Sequence, residues 1–450
     1  MALLTKAPRG TADLLPSDSY KRRFLERVLG DTAGSYGFKE IRTPVFEHTE
    51  LFQRGVGETT DVVQKEMYTF EDNGHRSITL RPEGTAGTVR AFLEHGLFNE
   101  PLPQKYYYLT SCYRYEKPQA GRLREFHQFG VEAFGAEGPG QDAEIIALAN
   151  EIFTFLDLKD IRLEINSIGC KTCRKDFQQA LRTYFEGHRD ELCETCRDRL
   201  ERNPMRILDC KVPTCGEIAK GAPKVLDYLC EDCSAHFTTV QKYLRAMGID
   251  FTVNPTIVRG LDYYTKTVFE FVSSSIGAQG TVCGGGRYDG LVEELGGSPT
   301  PACGFGMGIE RLSLLLDAQG VEIGEDERVD IYVAPASPAN AVETMRVVAE
   351  LRDFGLRAET DVMGRSVKAQ MKYANKLGAH YTTIIGDDEL KNGAVKVKNM
   401  DSGKVSDVSL YDFAEELSDL ILDDDYDAID LDVGEADAKS KLTLLDGGKK

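Results

Sequence analysis

The sequence predicts a mixed α/β protein: a core that combines long strands with helices, a Cys-rich helical insertion, and a small α/β module near the C-terminus. The core is marked by residues 105–134, which alternate as two long strands around a polar loop. Tyr106, Tyr108, Thr110, Cys112, Arg114 and Glu116 share one face of the first strand, and Gln128, Gly130, Glu132 and Phe134 one face of the second. Arg114, Gln128 and Glu132 can therefore converge over one sheet surface, where an ordinary core strand would be apolar. The insertion is marked by four cysteine pairs in a charged segment, and the module by short strands and helices that alternate from Ile331 to Lys398.

At 450 residues and 41% hydrophobic content, the chain is long enough for two or three domains with separate cores. No apolar run reaches membrane-spanning length, and residues 1–10 already contain Lys6, Pro8 and Arg9, so a cytoplasmic protein is expected. In that setting eleven cysteines read as thiols or metal ligands rather than as a disulfide scaffold. The net charge of −19 argues against a nucleic-acid partner only superficially, because residues 412–450 set 13 acids against 4 bases. Phosphate contacts depend on the local field, so basic patches elsewhere can still hold RNA.

Taken in order, residues 6–15 are punctuated by Pro and Gly, and Ser17 is the expected N-cap of a helix with Tyr20, Phe24, Leu25, Val28 and Leu29 on one stripe. Residues 37–45 alternate like a strand whose Pro44 cannot donate to a ladder, which suits an edge or an interface. Residues 77–80 form a short strand, and Arg81-Pro82-Glu83-Gly84-Thr85 turns it into a helix over 86–95. The loop 117–123 holds Lys117, Pro118, Gly121 and Arg122 and no acid, a flexible basic finger over an anion. A helix over 142–156 and a strand over 161–168 precede the insertion. There Cys170-x-x-Cys173, Cys193-x-x-Cys196, Cys210-x4-Cys215 and Cys230-x-x-Cys233 could supply two tetrahedral thiolate sites, although the spacing does not say which pairs combine. Reduced, merely packed thiols are the alternative.

Residues 258–265, VRGLDYYT, lead into a strand over 267–272, and residues 280–290 run from a strand through three glycines into a helix over 291–295. Along 302–316, Gly304, Gly306 and Gly308 alternate on a strand and leave one face bare for a flat ring, before a helix that opens with Glu310 and Arg311. A dinucleotide fold is excluded, because this spacing is not G-x-G-x-x-G in an opening strand–turn–helix unit. After a polar linker over 317–328 come strands at 331–334, 356–360, 381–385 and 394–398, with helices over 339–351 and 365–377. From Asp423 onward the apolar content is too low to pack, and disorder is expected.

Tyr113 to Glu116, followed by Arg122-x-x-x-Phe126, resembles the second signature motif of class II aminoacyl-tRNA synthetases, and residues 126–132 and 259–265 resemble the histidyl-tRNA synthetase forms. Residues 37–45 and 302–316 are similar to the first and third motifs. The resemblance implies an antiparallel sheet flanked by helices, in a catalytic core of residues 1–169 and 251–325 interrupted by the insertion at 170–250. It further implies an anticodon-binding domain at 329–422, followed by the acidic tail at 423–450. The implied reaction activates L-histidine with ATP and passes it to tRNA(His), in a homodimer. Arg114 and Arg259 would act catalytically at the α-phosphate and Arg311 at the far end of ATP. Glu83, Gly84 and Thr85 would take the ammonium group, Gln128 the carboxylate region, and Glu132 and Tyr264, with Tyr263 and Tyr288, the imidazole. Mg2+ would balance the triphosphate. Structural Zn2+ in the insertion is expected at a distance that leaves adenylation intact when Cys170 and Cys173 are lost. So polar a pocket rejects apolar analogues by about 10⁴ or more, so no editing domain is needed. A histidine-sensing regulatory subunit of ATP phosphoribosyltransferase is the second reading; such proteins lack the anticodon domain, which this chain retains. A zinc-binding adaptor is the third, and it leaves the arginines unexplained.

Overall fold

The computed structural model describes residues 4–57, 60–210, 212–277, 280–324 and 328–432, with side chains placed through residue 424. Its first unit ends at Gly324 and its second begins at Glu325. An eight-stranded sheet organises the first unit, in the order Lys39–Glu40, Gln104–Tyr113, Glu125–Phe134, Ala302–Gly308, Thr281–Arg287, Thr265–Ser273, Ile161–Ser167 and Thr252–Val253. The central pairs are antiparallel, and only the two-residue strands at the edges run parallel to their neighbours.

Alternation gives this sheet two chemically different faces. Phe129, Val131, Phe269, Phe271, Phe305 and Met307 point to one side and pack against the helices Pro16–Ser35, Pro139–Phe155 and Ile309–Gln319. Each such ring or branched chain fully buried contributes about 1.5–3 kcal/mol, so this side alone can anchor the sheet. The other side is left free to be polar. Across it Tyr108, Gly130, Gly306, Gly284 and Glu270 stand in one cross-strand row. The hairpin register sets Thr110 opposite Gln128 and Tyr106 opposite Glu132.

Several local expectations change. The first helix starts at Pro16, whose missing N–H costs nothing at a first helical position, and Ser17 donates to Asp18 instead of capping. The strand expected over 37–45 shrinks to Lys39–Glu40, because Arg81 takes the carbonyls of Thr43 and Pro44 at 2.8 and 3.1 Å. Gly284, Gly285 and Gly286 lie inside the strand Thr281–Arg287 rather than in a turn. A separate three-stranded sheet, in the order Phe46–His48, Ser77–Leu80 and Thr69–Glu71, feeds the helix Thr85–Glu94.

The insertion belongs to the first unit. Its helices Lys171–Glu186, Glu194–Arg202 and Glu231–Ala246 each begin on the residue after a cysteine. Phe177, Leu181, Phe185 and Leu200 from these helices and the segments between them share one apolar cluster with Phe92, Tyr263, Tyr264 and Tyr288.

The second unit is a five-stranded sheet in the order Ala358–Thr360, Ile331–Pro335, Tyr381–Ile385, Ala394–Asn399 and Val405–Ser409, parallel across the first three strands and antiparallel across the last two. Helices Ala341–Asp353, Val367–Leu377 and Phe413–Asp432 accompany it. The last of these corrects the tail: residues 423–432 are helical, and Asp424 accepts bonds from Tyr381 at 2.5 Å and Asn399 at 2.6 Å. Buried Phe413 and Leu417 pin the helix to the sheet despite its acids. The remainder of the expected tail, residues 433–450, lies outside the described residues.

Candidate active site

The turn at residues 81–85 builds one wall. Glu83 is 2% exposed, and its two carboxylate oxygens accept the N–H groups of Thr85 at 2.6 Å and Ala86 at 2.9 Å. It caps the helix Thr85–Glu94, where the positive end of the helix dipole favours a carboxylate. Burial nevertheless raises its pKa. The Thr85 hydroxyl donates to Glu132 at 2.7 Å and so ties this turn to the sheet.

Glu132 is the centre of the buried group. It is 1% exposed, and besides Thr85 it accepts the hydroxyls of Tyr108 at 3.0 Å and Tyr288. Burial pushes its carboxyl up to about 8, with the hydroxyl donors opposing that shift. Tyr263 stacks edge-on against Tyr288 with ring centroids 5.4 Å apart, and Tyr264 lies 4.7 Å from Tyr263. The result is a buried polar chamber in which the carboxyl groups of Glu132 and Glu83 stand among phenols.

Beside it opens a cleft lined by Arg114, Arg122, Arg259 and Arg311, together with Gln128, Glu116 and Glu310. Arg114 is held by the Pro82 carbonyl at 2.8 Å, and Arg259 pairs with Glu270, which also accepts Thr281 at 3.0 Å. Arg311 donates to Gly121 at 3.2 Å and Thr281 at 2.8 Å. Burial, then the nearby Arg122 and Arg114, lower the Arg311 pKa. Cations crowded until they weaken one another's charged form make a site that favours a polyanion. Gln128 stands between chamber and cleft, accepting the Gly84 N–H at 3.2 Å.

The glycine row makes this geometry possible. A Cβ at Gly284 would lie 2.4 Å from the Arg259 guanidinium, one at Gly306 2.1 Å from Gln128 Nε2, and one at Gly130 2.3 Å from the Tyr108 ring. The bare face expected for a flat ring is thus largely filled by the protein's own side chains, while Gly306 and Gly308 still line the cleft.

The family model for histidyl-tRNA synthetase matches residues 10–312, and the model for the anticodon-binding domain matches residues 330–420. The chain belongs to the histidyl-tRNA synthetase family. It is 56% identical over 406 residues to a histidine–tRNA ligase of Caldanaerobacter subterraneus subsp. tengcongensis, covering 90% of this chain and 97% of that one. To a histidine–tRNA ligase of Acetivibrio thermocellus it is 55% identical over 91% of this chain and 98% of that one. The crystal structure of apo histidyl-tRNA synthetase from S. aureus superposes with a TM-score of 0.80 at 41% identity, over 92% of this chain and all of that one.

The structure gathers Glu83, Thr85, Glu132, Tyr263, Tyr264 and Tyr288 in the chamber, with Gly84 packed on the Tyr108 ring, and Arg114, Arg259 and Arg311 in the cleft. Sequence reasoning missed the partners that hold them. Glu310 accepts the His127 N–H at 2.9 Å, His127 Nδ1 at 2.7 Å and Arg22 at 2.7 Å. Against the effect of burial, these donors bring its carboxyl down to about 2. Arg287, fully buried, pairs with Asp142 and donates to the Ala136 and Gly138 carbonyls at 2.9 and 3.1 Å. Its charged position in the strand Thr281–Arg287 was the available signal.

The eight cysteine thiols form two sets, each with its sulfurs within 4.8 Å of one another: Cys170, Cys173, Cys230 and Cys233, and Cys193, Cys196, Cys210 and Cys215. The first pair thus joins the last, and the inner two join each other. Neither set is remote from the chamber. Arg174, next to Cys173, donates to the Tyr264 carbonyl at 3.1 Å, and Arg206, between Cys196 and Cys210, donates to the Gly260 carbonyl at 2.7 Å. The expected distance between cysteines and adenylation site is corrected accordingly.

Proposed function

We infer that chamber and cleft divide the substrates of a histidine–tRNA ligase, the activity named for relatives that match about nine tenths of this chain. The chamber takes the amino acid and the cleft takes ATP. The observation that carries the reading is a buried carboxyl group, Glu132, with hydroxyls around it, set beside a cleft with four arginines. Imidazole has a nitrogen on each side of its ring, and a carboxylate facing phenols can meet both.

In the first step a carboxylate oxygen of histidine attacks the α-phosphorus and pyrophosphate leaves; in the second a terminal ribose hydroxyl of tRNA attacks the acyl carbon and AMP leaves. No protein nucleophile is needed, so the work of the site is positioning and charge. Gln128 orients the carboxylate from between the two spaces. Arg259 and Arg114 meet the charge that grows on the α-phosphate, and Arg311 holds the far end of the triphosphate. Glu83 and Thr85 take the ammonium group. Glu116 and Glu270, which pair with Arg122 and Arg259, offer the hard oxygens that would hold magnesium, and that ion would supply neutralisation of triphosphate charge.

The second unit reads the anticodon of tRNA(His), supported by its match to the anticodon-binding model. That match, with the arginines retained, disfavours the regulatory-subunit reading. Exposed Phe46 and Phe70 on the small sheet, with Val45 just before it, support a homodimer. Among the described residues no helix is long and apolar enough to cross a membrane, consistent with work in the cytoplasm. Both thiol sets fit zinc: a Zn–S distance of about 2.3 Å sets tetrahedral S···S edges of about 3.8 Å, and the Cys170–Cys173 and Cys193–Cys210 sulfurs stand 3.6 and 3.9 Å apart. The Cys230 N–H donates to Cys173 Sγ at 3.1 Å and the Cys193 N–H to Cys215 Sγ at 3.3 Å, contacts that favour thiolates.

Histidine-dependent exchange of pyrophosphate into ATP tests the first step, and charging of tRNA(His) transcripts tests the second. Exchange driven by another amino acid, or none at all, would overturn the reading.

A further inference from the structure

The segment 258–264 carries Arg259, Tyr263 and Tyr264 yet belongs to no strand; it hangs between Thr252–Val253 and Thr265–Ser273. Main-chain groups outside a sheet need partners from elsewhere. The insertion supplies them from two directions. From one thiol set, Arg174 holds the Tyr264 carbonyl at 3.1 Å, and just ahead of Cys170 the core residues Ile168 and Gly169 bond the strand residue Lys266 that follows the segment, Ile168 N–H to Lys266 O at 2.8 Å and Lys266 N–H to Gly169 O at 3.0 Å. From the other, the loop closed by Cys196 and Cys210 carries Asn203 and Arg206. Arg206 reaches Gly260 O at 2.7 Å and Asp262 Oδ1 at 2.9 Å, and Asn203 reaches the same carboxylate oxygen at 3.3 Å.

We propose that the insertion is a metal-set brace on this segment, so that zinc at the two thiolate sets and histidine in the chamber stabilise each other's binding. Arg206 and Arg174 are the positioning residues that carry the coupling. The inference rests on the reading above that the chamber binds histidine and the thiols bind zinc. Four ligands from two distant stretches fix the ends of each arm only when metal joins them, and the arms touch the segment through its carbonyls and Asp262. A ligand that prefers the braced form of the segment must then raise zinc retention by the factor by which zinc raises its own affinity.

The test uses the full-length, zinc-loaded chain challenged with a chromogenic chelator, and follows zinc release with and without saturating L-histidine. D-histidine, which captures free zinc equally, is the reference. L-histidine is expected to slow release by about fivefold or more. Arg206→Ala should keep its zinc content and lose that protection, with the KM for histidine raised by a similar factor and kcat changed less. Arg206→Lys, which restores a charge opposite Asp262 without a fork to bridge it to Gly260, should recover part of both. Equal release with either enantiomer, from protein that holds zinc and activates histidine, overturns the brace and leaves the proposed function intact. Protein that holds no zinc or activates no histidine overturns that reading and the brace with it.

Discussion

Gly284→Ala isolates the positioning of one arginine without removing it. The new Cβ would stand 2.4 Å from Nη1 of Arg259 and 2.7 Å from its Cζ and Nη2, where ordinary contact begins near 3.4 Å. These three neighbours are the far end of a side chain, so the strand keeps its place and the guanidinium moves by about 1 Å. A misplacement of that size costs about 10²-fold in rate, or roughly 2.7 kcal/mol of transition-state stabilisation. Stability should hold or rise slightly, since alanine restricts the unfolded chain by about 0.4–1 kcal/mol relative to glycine. The chamber is untouched, so the KM for histidine should stay within about threefold of wild type. Histidine-dependent pyrophosphate exchange, alongside thermal melting, reads all three quantities. A variant that melts like wild type and exchanges within about threefold of its rate would refute the claim that Arg259 acts from this position.

Arg259→Ala should lose about 10²-fold or more in adenylate formation with histidine binding largely kept, measured as exchange against histidine titration. For Glu132→Gln the sign follows from burial. The folded carboxyl holds its proton up to about pH 8 against an ordinary value of 4.5, so the folded state binds more protons across that window and wild-type stability falls as pH rises through it. The slope from this residue reaches at most about 1.4 kcal/mol per pH unit. The variant should flatten that slope, and urea denaturation across the window would show parallel curves if the assignment is wrong. A chain ended at Gly324 should still exchange pyrophosphate yet charge tRNA poorly; equal charging by both lengths would remove the anticodon role from the second unit.

Much of the site was legible because function broke the local rules of packing. Charges at Arg114 and Glu132 stood where alternation called for apolar side chains, and the strands Ser77–Leu80 and Tyr381–Ile385 fall where their patterns put them. What stayed hidden was long-range or self-contradictory in sequence. Gly284–Gly286 imitate a turn because nothing local shows that Arg259 will lie across them. The helix Asp387–Asn392 is too short and charged to show a period, and the helix Phe413–Asp432 reads as an acidic tail until Phe413 and Leu417 find the second unit's core. Cysteine spacing gave pairs, whereas only the fold brings residue 173 to residue 230.

Lone pairs give the chamber a selectivity that size does not. A carboxylate offers about four acceptor positions, and on Glu132 the hydroxyls of Thr85, Tyr108 and Tyr288 fill three. One vacancy remains, where the resting proton sits and where, on the proposed reading, a single ring N–H takes its place. A carboxamide or guanidinium brings two or more hydrogens to that vacancy, and each surplus donor shut away from water costs roughly 1–3 kcal/mol. Asparagine, glutamine and arginine are thereby turned away by a count of hydrogens, even where their volumes would fit.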